Sequence, residues 1–545
     1  MFLRAAEARY GLRVVRARVE IGRLQRRLWQ RQRKLIAASV LGANADFRGY
    51  EASYLRRTRT FLREAPYAEL LDAAAQADLV YVGDYHTLKQ AQRSFLKLVQ
   101  RRWPRRPLLL ALEFVQGKHQ AAVDAFLEGR LPEARFLEQI EYARHAVFDT
   151  WSNFREIFEE ARRQRLPVLA IDLLGKAGTT LADRDRYAAR RIAAALERHP
   201  GAQVFTLAGQ LHVAPPHLPQ AVAEELLRRG RAPGRPLTVY QNCERIWWAL
   251  EREGRELEVE ACLLRPGEWC LINTPPVVVQ QSYLDWIEGG AQPLESGHLE
   301  ARFRLLARTV ARFLGLETKE LRAALQHVAV YPAGDLSFLD TLPVSRRERG
   351  QIEKQILSRE SYYIPRAHVA YLANLSVNHA AEEAAHFVRH VVSGATGEPR
   401  GLVDAFYARA LEEAYAFCGS KIVNPRRKCP HEPEFERLAR SGDGFTREVA
   451  RFVLDHRGIE RTVGRGLRRM RALYRTAGSE LFNAVTHSLG YMLGERIYYA
   501  LATGLLLKRE VRALFLDPLD EDGQPFLTYL ELSRRLSDVH IPKRV

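Results

Sequence analysis

Two short phrases, Gly83-Asp84-Tyr85-His86 and Gly209-Gln210-Leu211-His212, share the pattern G-x-x-H. Between them, the apolar run Leu108–Leu112 is followed by Glu113, and Val168–Ile171 is followed by Asp172. Imidazoles and carboxylates in such a set can do three jobs. They can hold a divalent metal, with water completing the coordination. They can act without metal as a general acid and base, a carboxylate orienting an imidazole. They can also supply axial or peripheral contacts to a haem. Asp84 and His86 are two apart, so in an extended segment they face the same side and suit a cooperating pair. A glycine before each histidine fits a tight strand-to-loop turn or a close approach of backbone to ligand. Taken alone, each histidine reads as a hydrogen-bonded core or loop residue. The coincidence of four is what argues for one shared site.

The elements that must position these residues are legible as runs. Asp78–Val82, Leu108–Leu112, Val168–Ile171 and Gln203–Ala208 are short and predominantly apolar, and helical segments separate them. That is the pattern of parallel strands buried on both faces. In an open α/β sheet, ligands sit outside the carboxyl ends of the strands. The pattern therefore predicts His86, Glu113, Asp172 and His212 at one edge. Further strands are expected at Leu237–Tyr240, Cys270–Ile272 and Val277–Val279, with loops at Arg265–Gly267 and Pro275-Pro276 and a linker at Gly289–Pro293. Beyond residue 298 the periodicity is helical throughout. The expected fold is an α/β parallel-sheet domain with a helical insertion, followed by an all-α C-terminal domain. Its expected divisions are a basic helical arm over 1–60, the α/β domain over 61–292 and the helical domain over 298–540.

This constellation resembles the superfamily that joins ChaN-like haem/iron-uptake proteins, TraB/TIKI proteases and erythromycin esterases. The motifs that carry the likeness are Gly83–His86, Glu113, Arg184 in Asp183–Tyr187, and Gly209–His212. The ChaN likeness extends to the helical stretch Ala122–Arg163 and to Trp151–Phe154 before Leu166–Ala170, and covers roughly residues 60–290. The resemblance implies a pocket built from Asp84, His86, Glu113, Arg184 and His212, with Arg184 facing an anionic substrate group. It also implies iron, another divalent metal or haem as cofactor. Tyr85, His86 and His212 would be the contacts to a haem, since a phenolate oxygen also binds ferric iron. One departure is chemical: Asp84 stands where the family carries Glu, one methylene longer.

Composition bounds the rest. The chain has 545 residues and a formal net charge of +18, which favours anionic partners without naming one. Arginine is dense from Arg4 to Lys34, opposed by Glu7 and Glu20 alone. Apolar residues recur there at helical spacing, so residues 1–40 read as a packed amphipathic helix. The functional alternative is an arm that touches an anionic membrane surface or nucleic acid. Five scattered cysteines, an odd number without a C-x-x-C spacing, suit a reducing compartment. They read as free thiols, with a metal site at Cys418, Cys429 and His431 as the sharper alternative. The sequence has no apolar run long enough to span a bilayer. The first cysteine is Cys243, too late for a lipoprotein signal. The expectation is a cytoplasmic protein, peripheral on a membrane if the arm binds one, and open to homo-oligomerisation.

A second candidate lies in the helical half. His379, Glu383, His386 and His390 are spaced four, three and four apart, one face of a helix, and Glu383-x-x-His386 is the spacing used in di-iron carboxylate bundles. The four are expected as ligands of a transition metal, completed by Glu412, Glu413 or Glu480, with His487 nearby; the plain alternative is a polar helix edge. Three functional readings stand at this point: an iron- or haem-handling protein, a metal-assisted hydrolase using His86, Glu113 and His212, or an adaptor with a relict pocket.

Overall fold

The computed structural model describes residues 14–39, 45–100, 106–142, 150–173, 179–291, 296–357, 361–395, 401–462, 474 and 479–542. The start of the basic arm and part of the Gly289–Pro293 linker lie outside them. The chain forms two compact units, one from residues 29–291 and one from residues up to 28 together with those from 292 on. The described part of the expected 1–60 arm is thus divided between them.

The α/β unit is built on eight strands: β1 (Arg63–Ala65), β2 (Leu79–Asp84), β3 (Leu108–Gln116), β4 (Val168–Asp172), β5 (Gln203–Gly209), β6 (Pro236–Gln241), β7 (Ala261–Arg265) and β8 (Glu268–Leu271). Their order is β1-β7-β8-β6-β2-β5-β3-β4. The pairings from β8 through β4 are parallel, and β7 runs antiparallel to both β8 and β1. Alternate residues of each strand feed two cores, as a period of two requires. Val80, Val82, Leu110, Leu112, Phe205 and Leu207 face a core that includes Phe95, Trp151 and Phe158. Tyr81, Leu109, Ala111 and Val204 face another with Ile192 and Trp247. Register aligns the strand ends: Asp84 pairs with Gly209, and Leu112 pairs with Leu207. An irregularity in β3 between Leu112 and Gln116 breaks the pairing with β4 just where Glu113 emerges.

One expected strand is not one. Val277–Val279 lies in the helix Pro276–Ala291. Proline at the first position of a helix is pre-set in φ and lacks only an N–H that would be unpaired anyway, so Pro276 starts the helix through the valines. Within 29–57, the basic segment is packed: the Trp29 ring lies 5.4 Å from that of Trp248, and its Nε1 donates to Glu244.

The second unit is mainly helical. Its centre is the pair Leu402–Val423 and Glu480–Thr503, flanked by Val377–Ser393 and Ser296–Leu314. Gly490 and Gly494 let the central pair touch backbone to side chain: a Cβ on Gly490 would lie 2.5 Å from Ala410 O, and one on Gly494 would be driven into the Ala414 backbone. Ile21, Leu24 and Leu28 of the basic segment are buried, and the Gln25 amide donates to Ile422 O. The unit is not purely helical. A three-stranded sheet joins β9 (Ala329–Pro332), β10 (Tyr362–Ile364) and β11 (Val369–Leu372) in the order β10-β11-β9. Val369 to Leu372 are all buried, and the next helix starts at Val377, whereas the periodicity predicts helix throughout. Among the described residues, no helix is long and apolar enough to cross a membrane.

Candidate functional site

The carboxyl edge of β2, β3, β4 and β5 gathers Asp84, His86, Glu113, Asp172 and His212, and the helix Leu181–Arg198 adds Arg184. His86 Nδ1 lies 2.7 Å from Asp84 Oδ2. Asp84 is buried, while His86 keeps 32% of its side chain exposed. The other oxygen of Asp84 accepts from the amide of the buried Gln92. His212 repeats the arrangement: its Nδ1 is 2.6 Å from Asp185 Oδ1, and Tyr50 O–H donates to Asp185 Oδ2 at 2.6 Å. His212 Nε2 is 3.5 Å from Glu113 Oε1. Arg184 bridges Glu113 at 2.5 Å and Asp172 at 2.8 Å, and the Gly209 N–H donates to Glu113 Oε2.

Two carboxylate-braced imidazoles therefore flank one carboxylate, and Gly209 is the floor between them. A Cβ on Gly209 would lie 3.5 Å from Glu113 Oε2, 3.7 Å from His212 Cδ2 and 3.7 Å from His86 Nε2. These are ordinary contact distances, so the glycine leaves a methyl-sized space in reach of both rings. Burial alone would lower the His86 imidazole. The hydrogen bond and charge of Asp84, with Glu113 behind it, override that and raise it to about 9. Burial likewise opposes charge on His212, but Glu113 and Asp185 raise it. Burial would raise Glu113, yet His212, Arg184, His86 and the Gly209 N–H bring it down to about 2. The site thus holds a permanent carboxylate between two basic imidazoles and a guanidinium, which is the set-up for proton transfer or for polarising a ligand.

Tyr85 does not share this edge. Its ring packs against Leu88, Ala91 and Val279, and its hydroxyl faces Gln210 and Tyr54. His217 stacks on Tyr50 at 3.7 Å. Asp185, Tyr50 and Gln92 were not expected from the sequence. Asp185 is the informative one: Asp183-Arg184-Asp185-Arg186 alternates charge, which reads as a solvated helix face although Asp185 is buried.

In the helical unit, His379, Glu383, His386 and His390 line a cavity of about 480 Å³ with Glu382, Arg409, Glu413 and His487. Glu413 is the hub there: Arg409 bonds it at 2.7 Å, His487 Nδ1 lies at 3.1 Å and His386 Nε2 at 3.9 Å. Burial raises Glu383, with Glu382 and Glu413 adding to it, and burial lowers His379, His386 and His390.

The expected ligand sets are less tightly grouped than one other set of side chains. Among the described residues, the group of His, Cys, Asp or Glu that brings three ligand atoms within 4.8 Å of one another is Cys429, His431 and Glu495. His86, Glu113 and His212 do not form such a group, and Arg184 and the Gly209 N–H bond the Glu113 oxygens. Nor do His379, Glu383, His386 and His390, since eleven residues of helix spread the outer two over about 16 Å.

Comparison with known proteins bears on the α/β unit alone. Residues 70–182 match the model of a family described as "Haem-binding uptake, Tiki superfamily, ChaN", so this stretch is ChaN-like. The match contains Asp84, His86, Glu113 and Asp172 and stops short of Arg184 and His212. A solved structure, "Cofacial heme binding to ChaN of Campylobacter jejuni", aligns with 33% of this chain and 87% of its own, at 11% identity and a TM-score of 0.26. No curated protein matches the sequence.

Proposed function

We propose, taking the ChaN-like stretch as the premise, that the α/β unit binds haem or a related iron-bearing small molecule at the β2–β5 edge, with His86 as the ligating side chain. The observation that carries this reading is the Asp84–His86 pair. Asp84 holds Nδ1, a third of the side chain reaches solvent, and Nε2 faces the Gly209 side of the edge. A carboxylate behind a ligating imidazole sets its orientation and raises its basicity. The residues present thus fit a histidine-ligated haem, whose iron would supply the redox or carrier chemistry when bound. The chain's own contribution is to hold His86 in one tautomer, keep Glu113 charged through Arg184, and leave the space over Gly209. The family description names haem binding, which agrees with this reading. The five cysteines are all buried and free, which suits the cytoplasm.

Haem titration of the full chain, followed by absorption, tests it. His86→Ala should weaken binding by at least tenfold and change the spectrum, whereas Tyr85→Phe should do neither. An unaltered spectrum in His86→Ala would remove His86 from the role.

A second reading is favoured by the two imidazoles that flank Glu113. With Glu113 kept as a carboxylate and His86 protonated below about pH 9, the edge carries a base and an acid for hydrolysis of a small ester or amide. Turnover of ester or amide substrates that survives in the metal-free protein and vanishes in His212→Ala would support it over simple binding.

A further inference from the structure

Within the helical unit, Cys429, His431 and Glu495 are not among the residues that line the cavity around Glu413. Cys429 and His431 are two apart in a non-helical segment. His431 has φ −116° and ψ 178°, an extended backbone that puts both side chains on one side. Both aim at the same atom of the helix Glu480–Thr503: Cys429 Sγ is 3.2 Å and His431 Nε2 2.9 Å from Glu495 Oε2. The other oxygen, Oε1, is held at 2.8 Å by Lys421 Nζ, which is fully buried and also donates to Arg427 O at 2.7 Å. Glu495 is 2% exposed and Cys429 8%, whereas His431 keeps 32% of its side chain open to solvent.

We propose that Cys429 Sγ, His431 Nε2 and Glu495 Oε2 bind one transition-metal ion of the zinc class, independently of the haem reading. One sulfur, one nitrogen and one oxygen within 4.8 Å of each other are the donor set and spacing of a tetrahedral zinc centre with its fourth position open. A hard cation such as magnesium or calcium would want oxygen ligands instead. Binding releases the Cys429 thiol proton to solvent as the metal–sulfur bond forms, while His431 ligates as a neutral imidazole through the Nε2 lone pair with its proton on Nδ1. Lys421 acts as a positioning residue: it fixes the carboxylate so that Oε2 faces the two donors, the role supporting groups play behind metal ligands. The exposed edge of His431 supplies the entry path.

The test is metal analysis of the full chain after zinc loading, followed by replacement with cobalt(II), whose bond to a thiolate gives a sulfur-to-metal charge-transfer band. Wild type should hold one zinc per chain and show the band. Cys429→Ser should lose the band and bind zinc more weakly by more than about a hundredfold, beyond the 10–100-fold cost of removing a supporting group. His431→Gln should weaken zinc binding and shift the band, while His86→Ala and Cys418→Ser should leave both unchanged. If Cys429→Ser does not fold by circular dichroism, His431→Gln, whose side chain is partly exposed, decides. No band in the wild type, a band that persists in Cys429→Ser, or unchanged zinc binding in His431→Gln would each overturn the proposal. A haem spectrum lost in His86→Ala alongside an intact cobalt band would show the two sites to be separate.

Discussion

Replacing Asp84 by Asn would separate the charge behind His86 from its hydrogen bond. The His86 imidazole sits at about 9 because Asp84 outweighs burial. Without that carboxylate, burial lowers the ring, Arg184 lowers it further, and Glu113 alone raises it. Its pKa should then fall to about the ordinary 6.5 or below. A fall of about 2.5 pH units is worth ~3 kcal/mol at full strength. With 32% of the side chain exposed, solvent screening brings the stability share down to about 2 kcal/mol. The sign follows from the raised pKa. The wild type has this stability in full below about pH 6.5 and loses it as pH rises through about 9. Ligand binding runs the other way, because Nε2 must shed its proton. Between pH 7 and 9 the wild type should gain roughly tenfold in haem affinity per pH unit, and Asp84→Asn should be flat. At pH 9 the variant should still bind about 10–100-fold more weakly, having lost the charge behind Nδ1 that makes Nε2 a stronger donor to a metal. Histidine-selective carbon NMR, with His86 identified among the 16 histidines by its loss in His86→Gln, reads the pKa directly. Equal slopes in the two haem titrations, or an unmoved His86 resonance, would refute the reasoning.

Gly209→Ala should leave the unit folded, since Gly209 is not in the left-handed region, yet fill the space over the site and lower haem binding at least tenfold. Thermal melting and titration check the two halves. Glu113 sits low, at about 2, so its contribution is present above about pH 4.5 and lost as pH falls through about 2. Glu113→Ala should cost about 1–3 kcal/mol in denaturant unfolding, because Arg184 keeps Asp172 but the Gly209 N–H and one arm of the guanidinium lose their acceptor. Gly494→Ala should destabilise the helical unit by about 1–3 kcal/mol or more, since its methyl meets backbone that cannot yield. Urea unfolding reads that loss, and haem binding at His86 should not move.

What was legible in the sequence follows from how buried each signal is. β2, β3, β4 and β5 read as strands because both faces are covered, which makes each a short apolar run with an acid or a histidine just past it. Their common edge then followed from parallel topology. Asp185 was not legible because burial of a helix carboxylate depends on Tyr50 and His212, 135 and 27 residues away. Glu495 was missed for the same reason: Cys429 and His431 sit side by side in the sequence, but the atom they share comes from a helix more than sixty residues on. Tyr85 misled by adjacency, since neighbours along an extended chain point to opposite sides. In Val277–Val279 the β-branched residues suggested a strand, and Pro276 settled it as a helix.

Strand order carries a consequence for how this protein is made. β5 lies between β2 and β3, so those two strands never touch, although both precede β5 in the chain. While a ribosome is still short of residue 203, the emerging chain holds β2 and β3 with their shared neighbour missing. Pairing β3 directly with β2 would satisfy the same backbone groups in a wrong sheet. Closure must wait for Gln203–Gly209 to thread into the gap, a contact between distant parts of the chain, and such contacts slow folding. The final residue of that strand is Gly209, and His212 follows three positions later. The step that joins β2 to β3 is therefore the same one that delivers the second imidazole, so the pocket and the bridge between those two strands form together.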